Sequence, residues 1–440
     1  MHEELFPADR ENSIAGGIMI TGNDSIREDF DMSFVFHTDC TPKDMDAFVT
    51  ASDQNTLFQC SDWAKIKYNW KSILTSVTED GEIRATALVL IRKLIPGRNL
   101  MYIPRGPVMD YTDIDLVNFY LENLTKLAKQ NRCAAVRFDP AVLYRKYPYH
   151  EREAEHPVMN RSVIDMLEAL GCRHKGFTVR IEEATQPRFN ASMHVTADYR
   201  DHLEHKTAKC IRTAEHKGIE VKSGLGEVHN LAEAMHHTEV RKGVALRGED
   251  YFRNMMEVYG DHAVCLSASI NFPKQIEKLA DAVNEAETLL ESGNVSKKQR
   301  SQISQNLEKD KKELEKLAAD YAREGKDTVI TSGILAVYND RLMELFYMGN
   351  HPDYLRMYSS YLLYAKCLDI CAEKGIEHCS FGGIEGTLDD GLTLFKSNWI
   401  MDVEEYIGEF NIVIDPAVYQ LFDSVYPKAL QAYAKLRSRK

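Results

Sequence analysis

The chain has 440 residues, 44% of them hydrophobic, and its 54 basic side chains stand against 67 acidic ones for a net charge of −13. At about 150 residues per domain this is material for two or three domains with real cores. The acidity excludes holding nucleic acid through a general field, and no run approaches the roughly 18 uninterrupted apolar residues of a membrane span, the best, ATALVLIRKLI at 85–95 and HAVCLSASINF at 262–272, being short or charged.

The N-terminus, MHEELFPADREN, carries acids where a secretion signal would place bases and then an apolar run. Nine cysteines, odd in number and mostly isolated, read as reduced thiols, so a cytoplasmic location is expected. Residues 1–33 show no sustained period and read as an acidic flexible tail. From Phe34 the chain reads as globular. A helix is predicted over TPKDMDAFVTAS (41–52) with Thr41 as N-cap, followed by the aromatic stretch TLFQCSDWAKIKYNW (56–70). Two β-rich runs at 71–80 and 82–94, separated by Asp80-Gly81, predict a hairpin. A third run at 99–110, a helix over about 113–130 and a strand at 133–140 complete an α/β unit.

The later half repeats this order without repeating the letters. Strands at 329–340 and 341–350, a long amphipathic helix and a strand at 376–384 follow one another, with turns expected at Met348-Gly349-Asn350 and Phe381-Gly382-Gly383. Two copies of one mixed α/β domain is the economical organisation. Between them, residues 273–324 place Ile276, Leu279, Val283, Ala286 and Leu290, then Ile303, Leu307, Leu314, Leu317 and Tyr321, at heptad-type spacings. This predicts a coiled-coil helical hairpin, its second limb opened by a Ser296/Gln299 capping box; ten basic and eleven acidic side chains make it read as a solvated arm. The domains are therefore set at 34–185, at 186–272 with 326–440, and at 273–325 for the arm.

Standard catalytic signatures are missing: no Walker loop, no His-Glu-x-x-His, no Gly-x-Ser-x-Gly and no Cys-x-x-Cys occurs. Cys367, Cys371, His378 and Cys379 fit no common zinc module, so no metal site is expected. Polar residues do stand at strand ends and turns, where α/β sheets bind ligands: Arg105 in a Pro-Arg-Gly-Pro corner, Asp139 in RFDP, Arg188 in TQPRFN. On a helix, His205, Lys209, Arg212 and His216 form one cationic face, the best candidate for a phosphate-rich partner.

Taken in order, these pieces resemble the FemABX family of aminoacyl-tRNA-dependent peptidyltransferases. The resemblance is carried by FQCSDWAKIK (58–67), YIPRGPV (102–108), the RFDP strand end, TQPRFN, TEVRKGVALRGEDYF (238–252), YLLYAKCLDICAEKGIEHCSFGGIEG (361–386), LTLFKSNW (392–399) and EYIGEF (405–410). It implies two tandem GNAT-like domains with an inserted coiled-coil arm, and transfer of an amino acid from charged tRNA to the stem-peptide amine of a peptidoglycan precursor, either UDP-MurNAc-pentapeptide or lipid II. Lys65 and Lys67, with Lys67 the preferred match, and Arg247 correspond to contacts of the precursor's diphosphate; Tyr251 and Tyr347 line the peptide site, with Leu345 where a second tyrosine would stand. Asp139 corresponds to an aspartate in the role of catalytic base, and Phe395-Lys396 to a pair at the aminoacyl-tRNA end. An aminoacyl ester is already activated, so neither ATP nor any other cofactor is implied, and DNA is not an expected partner. A lipid-linked acceptor implies peripheral contact with a membrane. Two other readings stay open: an acyl-CoA-dependent N-acyltransferase, which needs a pyrophosphate-binding loop that neither half supplies, and a non-catalytic tRNA-binding scaffold.

Overall fold

A computed structural model describes residues 34–242 and 247–421; the acidic tail of residues 1–33, residues 243–246 and residues 422–440 lie outside them. The chain is mixed α/β, as expected, and divides into two compact units. The first takes the described residues up to Thr196, Tyr338–Glu344 and those from Lys374 onward; the second takes Ala197–Val337 and Leu345–Glu373.

In the first unit a sheet runs in the order Val35–His37, Lys71–Glu79, Glu82–Ile95, Arg98–Ile103, Cys133–Phe138, Phe410–Val413, Arg173–His174. The predicted hairpin is present, with Glu79 opposite Glu82 across the turn. Seven consecutive residues, Ala85 to Ile91, are buried, because both faces of this strand are covered; such a run reads as continuous rather than alternating. Helix Ile114–Gln130 makes the crossover between Arg98–Ile103 and Cys133–Phe138, which pair in parallel. It starts where the Asp113 carboxylate accepts from the Leu116 amide at 3.0 Å, and it buries Leu116, Val117, Tyr120, Leu121, Leu124 and Leu127 at three-four spacing. Tyr120 reaches through this core to a 2.6 Å hydrogen bond with Thr75. The unit's second set of strands is the start of Leu342–Asn350, then His378–Ile384, Phe189–His194, Asp402–Tyr406 and Leu143–Pro148. Residues 402–413, read as the end of a second domain, thus hydrogen-bond into strands from the first half of the chain.

In the second unit Glu220–Ser223, Ala263–Asn271 and Thr328–Tyr338 pair antiparallel. Helix Val228–Lys242 approaches two strands at glycines: a Cβ on Gly333 would lie 2.8 Å from the Leu231 Cα, and one on Gly349 would lie 2.3 Å from the Ala234 carbonyl carbon. The expected turn at 348–350 is therefore strand, since Leu342–Asn350 runs through it and Gly349 serves helix packing. The turn expected at 381–383 is also strand, bulged between Ser380 and Gly382, with Gly382 at φ +77°. Helices Phe272–Glu291 and Lys297–Glu324 form the hairpin; all ten predicted seam residues are at least partly buried, and the Ser296/Gln299 capping box is formed.

Candidate functional site

The first unit gathers polar groups around the corner 104–107. Arg105 adopts φ +54°, a left-handed conformation that costs a side-chain-bearing residue on the order of 1 kcal/mol. Its amide donates to Asp139 Oδ1 at 2.6 Å, which fixes that backbone, while Tyr102 donates its hydroxyl to Asp139 Oδ2 at 2.9 Å. Asp139 sits at the end of Cys133–Phe138 because that strand lies parallel beside Arg98–Ile103, so both chain segments leave the sheet together. Both carboxylate oxygens are thus engaged by internal donors. Burial pushes the Asp139 carboxyl up to about 7, against the opposing pull of Arg105.

The Arg105 side chain is 4% exposed. Its guanidinium lies 4.2 Å from the Tyr406 ring centroid, and Nη2 donates to the Pro187 carbonyl at 2.6 Å. Pro187 in turn fills the place of a side chain on Gly383: a Cβ there would lie 2.4 Å from Pro187 Cγ. The carbonyls of Gly382 and Gly383 accept from Lys396 Nζ at 3.2 and 2.9 Å. Lys396 ends the short helix Gly391–Lys396, which Asp390 caps, and is 4% exposed, with Phe395 half-buried beside it. Asp139, Arg105 and Lys396 therefore belong to one connected set.

Residues that the sequence reading did not single out complete it. Gln59 donates to the Pro104 carbonyl at 2.5 Å and accepts from the Leu88 amide at 2.8 Å; a Cβ on Gly106 would lie 2.5 Å from its Cδ, which explains glycine in the corner. Its signal was its place within FQCSDW. Glu344 accepts from Thr56 and from the Leu57 amide, both at 3.3 Å, and burial raises its carboxyl to about 7, opposed by the Leu57 bond and Arg105. Tyr406 donates to Glu404 at 3.0 Å; burial raises the Glu404 carboxyl, but His378, Lys146 and the Ser192 hydroxyl hold it below the usual range. Glu344 had no motif to mark it.

Lys65 is two-thirds exposed and paired with Asp62 at 2.7 Å. Lys67 is half-buried, its ammonium 5.3 Å from the Trp63 ring centroid. In the second unit the Arg247 guanidinium lies 4.8 Å from the Tyr251 ring centroid, and Tyr251 meets Tyr347 edge-on at 5.9 Å, while Leu345 is buried. Helix His205–His216 buries Cys210, Ile211 and Ala214 and exposes His205, Lys209, Arg212 and His216 together. Its approach is pinned by Asp369, which accepts from Tyr199 and from both Nε and Nη2 of Arg200 at 2.6–2.7 Å. Among the described residues one group has metal-ligand spacing, Glu324, His351 and Asp353, but Arg323 already contacts both carboxylates there. The nine cysteines are all free. No described helix is long and apolar enough to cross a membrane.

The FemAB family model matches residues 40–427. The chain is 27% identical over 414 residues to aminoacyltransferase FemB of Staphylococcus epidermidis, covering 88% of this chain and 97% of that one. It is 27% identical over 427 residues to the lipid II:glycine glycyltransferase of Staphylococcus haemolyticus, covering 91% and 98%. The crystal structure of FemX shares its fold at a TM-score of 0.70 and 23% identity, over 88% of this chain and 99% of that one. With a family match over most of its length and relatives spanned nearly end to end, the chain belongs to the FemAB family.

Proposed function

We propose that this protein is an aminoacyltransferase that moves an amino acid from aminoacyl-tRNA to the stem-peptide amine of a peptidoglycan precursor, lipid II or UDP-MurNAc-pentapeptide, and so builds an interpeptide bridge. The family match over residues 40–427 carries this function, with relatives named for aminoacyl and glycyl transfer spanned over 97% and 98% of their lengths.

The chemistry asks little beyond placement. An ester is replaced by an amide, so the enzyme must bring amine and carbonyl into attack geometry, take up a proton and stabilise an oxyanion. Lys396 is the cation for the ester carbonyl: a buried ammonium held by two backbone carbonyls is fixed in position, and it meets developing negative charge in a weakly screened setting. Asp139 acts by positioning, since its oxygens already hold the Arg105 amide and the Tyr102 hydroxyl. Arg105, buried against Tyr406 and Pro187, supports the Gly382–Gly383 carbonyls in the same way. In the first unit Lys67, a cation resting on the Trp63 ring, is the diphosphate ligand, with Lys65 at its margin and Phe395 at the aminoacyl end; in the second unit Arg247, a cation resting on the Tyr251 ring, is a phosphate ligand beside Tyr251 and Tyr347, which line a peptide site. The exposed strip His205, Lys209, Arg212 and His216 takes tRNA phosphates.

The test is to incubate purified protein with mixed charged tRNAs and precursor and weigh the product. A mass increase of one amino-acid residue, abolished by ribonuclease, is expected. Acyl addition from acyl-CoA, or no addition from any charged tRNA to either precursor, overturns the assignment.

A further inference from the structure

The larger sheet of the first unit carries opposite charges at its two ends. At one end stand Glu79, Asp80 and Glu82 around the hairpin turn, with Asp113 tied to Arg84 at 3.5 Å. At the other end Lys71 lies opposite Ile91 and Lys93 opposite Asn99, whose amide donates to the Arg132 carbonyl at 3.0 Å. Lys71 Nζ donates to Asn131 Oδ1 at 2.8 Å, and Lys129 stands in the last turn of helix Ile114–Gln130. Lys71, Lys93, Lys129 and Arg132 are all exposed, and none has a carboxylate partner among the described residues. Asp415, which the Arg98 contact places at this end, is already bound by that guanidinium at 3.0 Å, and Asp62 by Lys65 at 2.7 Å, while Asp39, beside Cys40 whose amide donates to the Leu74 carbonyl, is an exposed acid near it.

Aromatic side chains are set among these cations. Tyr68 is 77% exposed, and Trp70 is half-buried with the Arg92 guanidinium 5.0 Å from its ring centroid. Trp70 is tied to this end because its amide donates to the Lys67 carbonyl at 2.7 Å, and Lys71 follows it directly. Cations that keep their charge in water, interleaved with amphipathic rings, match the composition of a surface that lies against phospholipid headgroups. In a chain of net charge −13 such a concentration at one sheet end gives a local field opposite to the whole.

We propose that this edge docks on an anionic phospholipid bilayer, its cations against headgroup phosphates and Tyr68 at headgroup depth. The proposal rests on the function given above for its purpose: Lys67 adjoins Tyr68 in the chain, so a docked bilayer presents a lipid-linked diphosphate at the level of the proposed phosphate ligand.

Binding is read without turnover by co-sedimenting the full chain with vesicles of phosphatidylcholine alone or mixed with phosphatidylglycerol, no precursor or tRNA being present. Wild-type protein sediments with the anionic vesicles, not with the zwitterionic ones, and added salt releases it. A Lys71→Ala/Lys93→Ala/Lys129→Ala/Arg132→Ala variant loses about fivefold in affinity per cation removed. The Lys71→Ala/Lys93→Ala double variant, which leaves the turn at Arg132 untouched, loses about twenty-five-fold. Turnover of soluble UDP-linked precursor stays at the wild-type level in both, so a failure of docking is distinguished from a failure of the reaction. Equal sedimentation of wild type with both vesicle types, wild-type affinity in the double variant, or loss of deacylated-tRNA binding with vesicle binding intact overturns the proposal.

Discussion

Asp139 and Glu344 are buried carboxyls that share the field of a single buried guanidinium, Arg105, and burial raises each to about 7. In the unfolded chain both would release their protons near pH 4. Between pH 4 and pH 7 the folded protein therefore holds protons that the unfolded chain has lost, and stability falls as pH rises across that window, levelling above it. Glu404 and Glu409, held below the usual range, push the other way, so the contribution of one raised group shows best as a difference. Asp139→Asn keeps an acceptor for the Arg105 amide while removing the titration; its stability relative to wild type should improve with rising pH by up to about 1.4 kcal/mol per unit between pH 4 and 7, measured by urea unfolding. A parallel offset at all pH values would show that the group does not titrate there. Arg247 and Lys396 separate by kinetics. A charge-assisted contact to phosphate is worth roughly 1.5–3 kcal/mol, so Arg247→Ala should raise the precursor's KM about ten- to a hundredfold with kcat little changed. Lys396→Met, which keeps the buried stem, should lower kcat and leave that KM; steady-state kinetics showing the reverse split would exchange their roles.

Elements whose signals are local are legible in the sequence alone: the Thr41 cap, the Asp80-Gly81 hairpin, the helix at 114–130 and the Ser296/Gln299 capping box all form, because each depends on a few neighbouring side chains satisfying neighbouring backbone groups. The glycines at 349 and 382–383 misled, since a sequence shows that a side chain is missing without showing what approaches in its place. At 349 it is the backbone of helix Val228–Lys242, and at 383 the Pro187 ring. Gly349→Ala should therefore be severe: a methyl group 2.3 Å from the Ala234 carbonyl carbon meets backbone that cannot swing aside, and a loss of about 3 kcal/mol or more in thermal unfolding is expected. Ser296→Ala removes one half of an exposed capping box and should cost only about 1 kcal/mol, seen as lost helical signal at moderate temperature with the rest of the transition retained. An equal cost for the two would mean that the helix at 228–242 can shift to accommodate the added methyl.

At the scale of the whole molecule the repeat of strands and helices was visible and the chain's return was not. Linear order assigned everything after 326 to one domain, whereas pairing is non-local: Asp402–Tyr406 lies between Phe189–His194 and Leu143–Pro148, and Phe410–Val413 lies between Cys133–Phe138 and Arg173–His174. The same return brings Lys396, Glu404 and Tyr406 to Arg105 and Asp139, so a candidate site built from positions about 260–300 apart along the chain could be assembled from sequence only through family resemblance, motif by motif. Glu344, which has no motif, could not. The return also sets a folding requirement. Without residues 374–421, Cys133–Phe138 and Leu143–Pro148 each lose a neighbouring strand, Arg173–His174 loses its partner, and Phe138 loses the Phe410 ring stacked on it at 5.6 Å. Exposed strand edges and an opened core cannot be offset by the remaining hairpin alone, whose stability depends on a covered apolar face. Residues 34–196 produced alone should show no cooperative thermal transition by circular dichroism and should be cut rapidly by protease within 133–148, and co-expression with residues 374–421 should restore both protection and a sharp melt. A cooperative transition in the isolated 34–196 fragment would show that the last two strands decorate an already complete core.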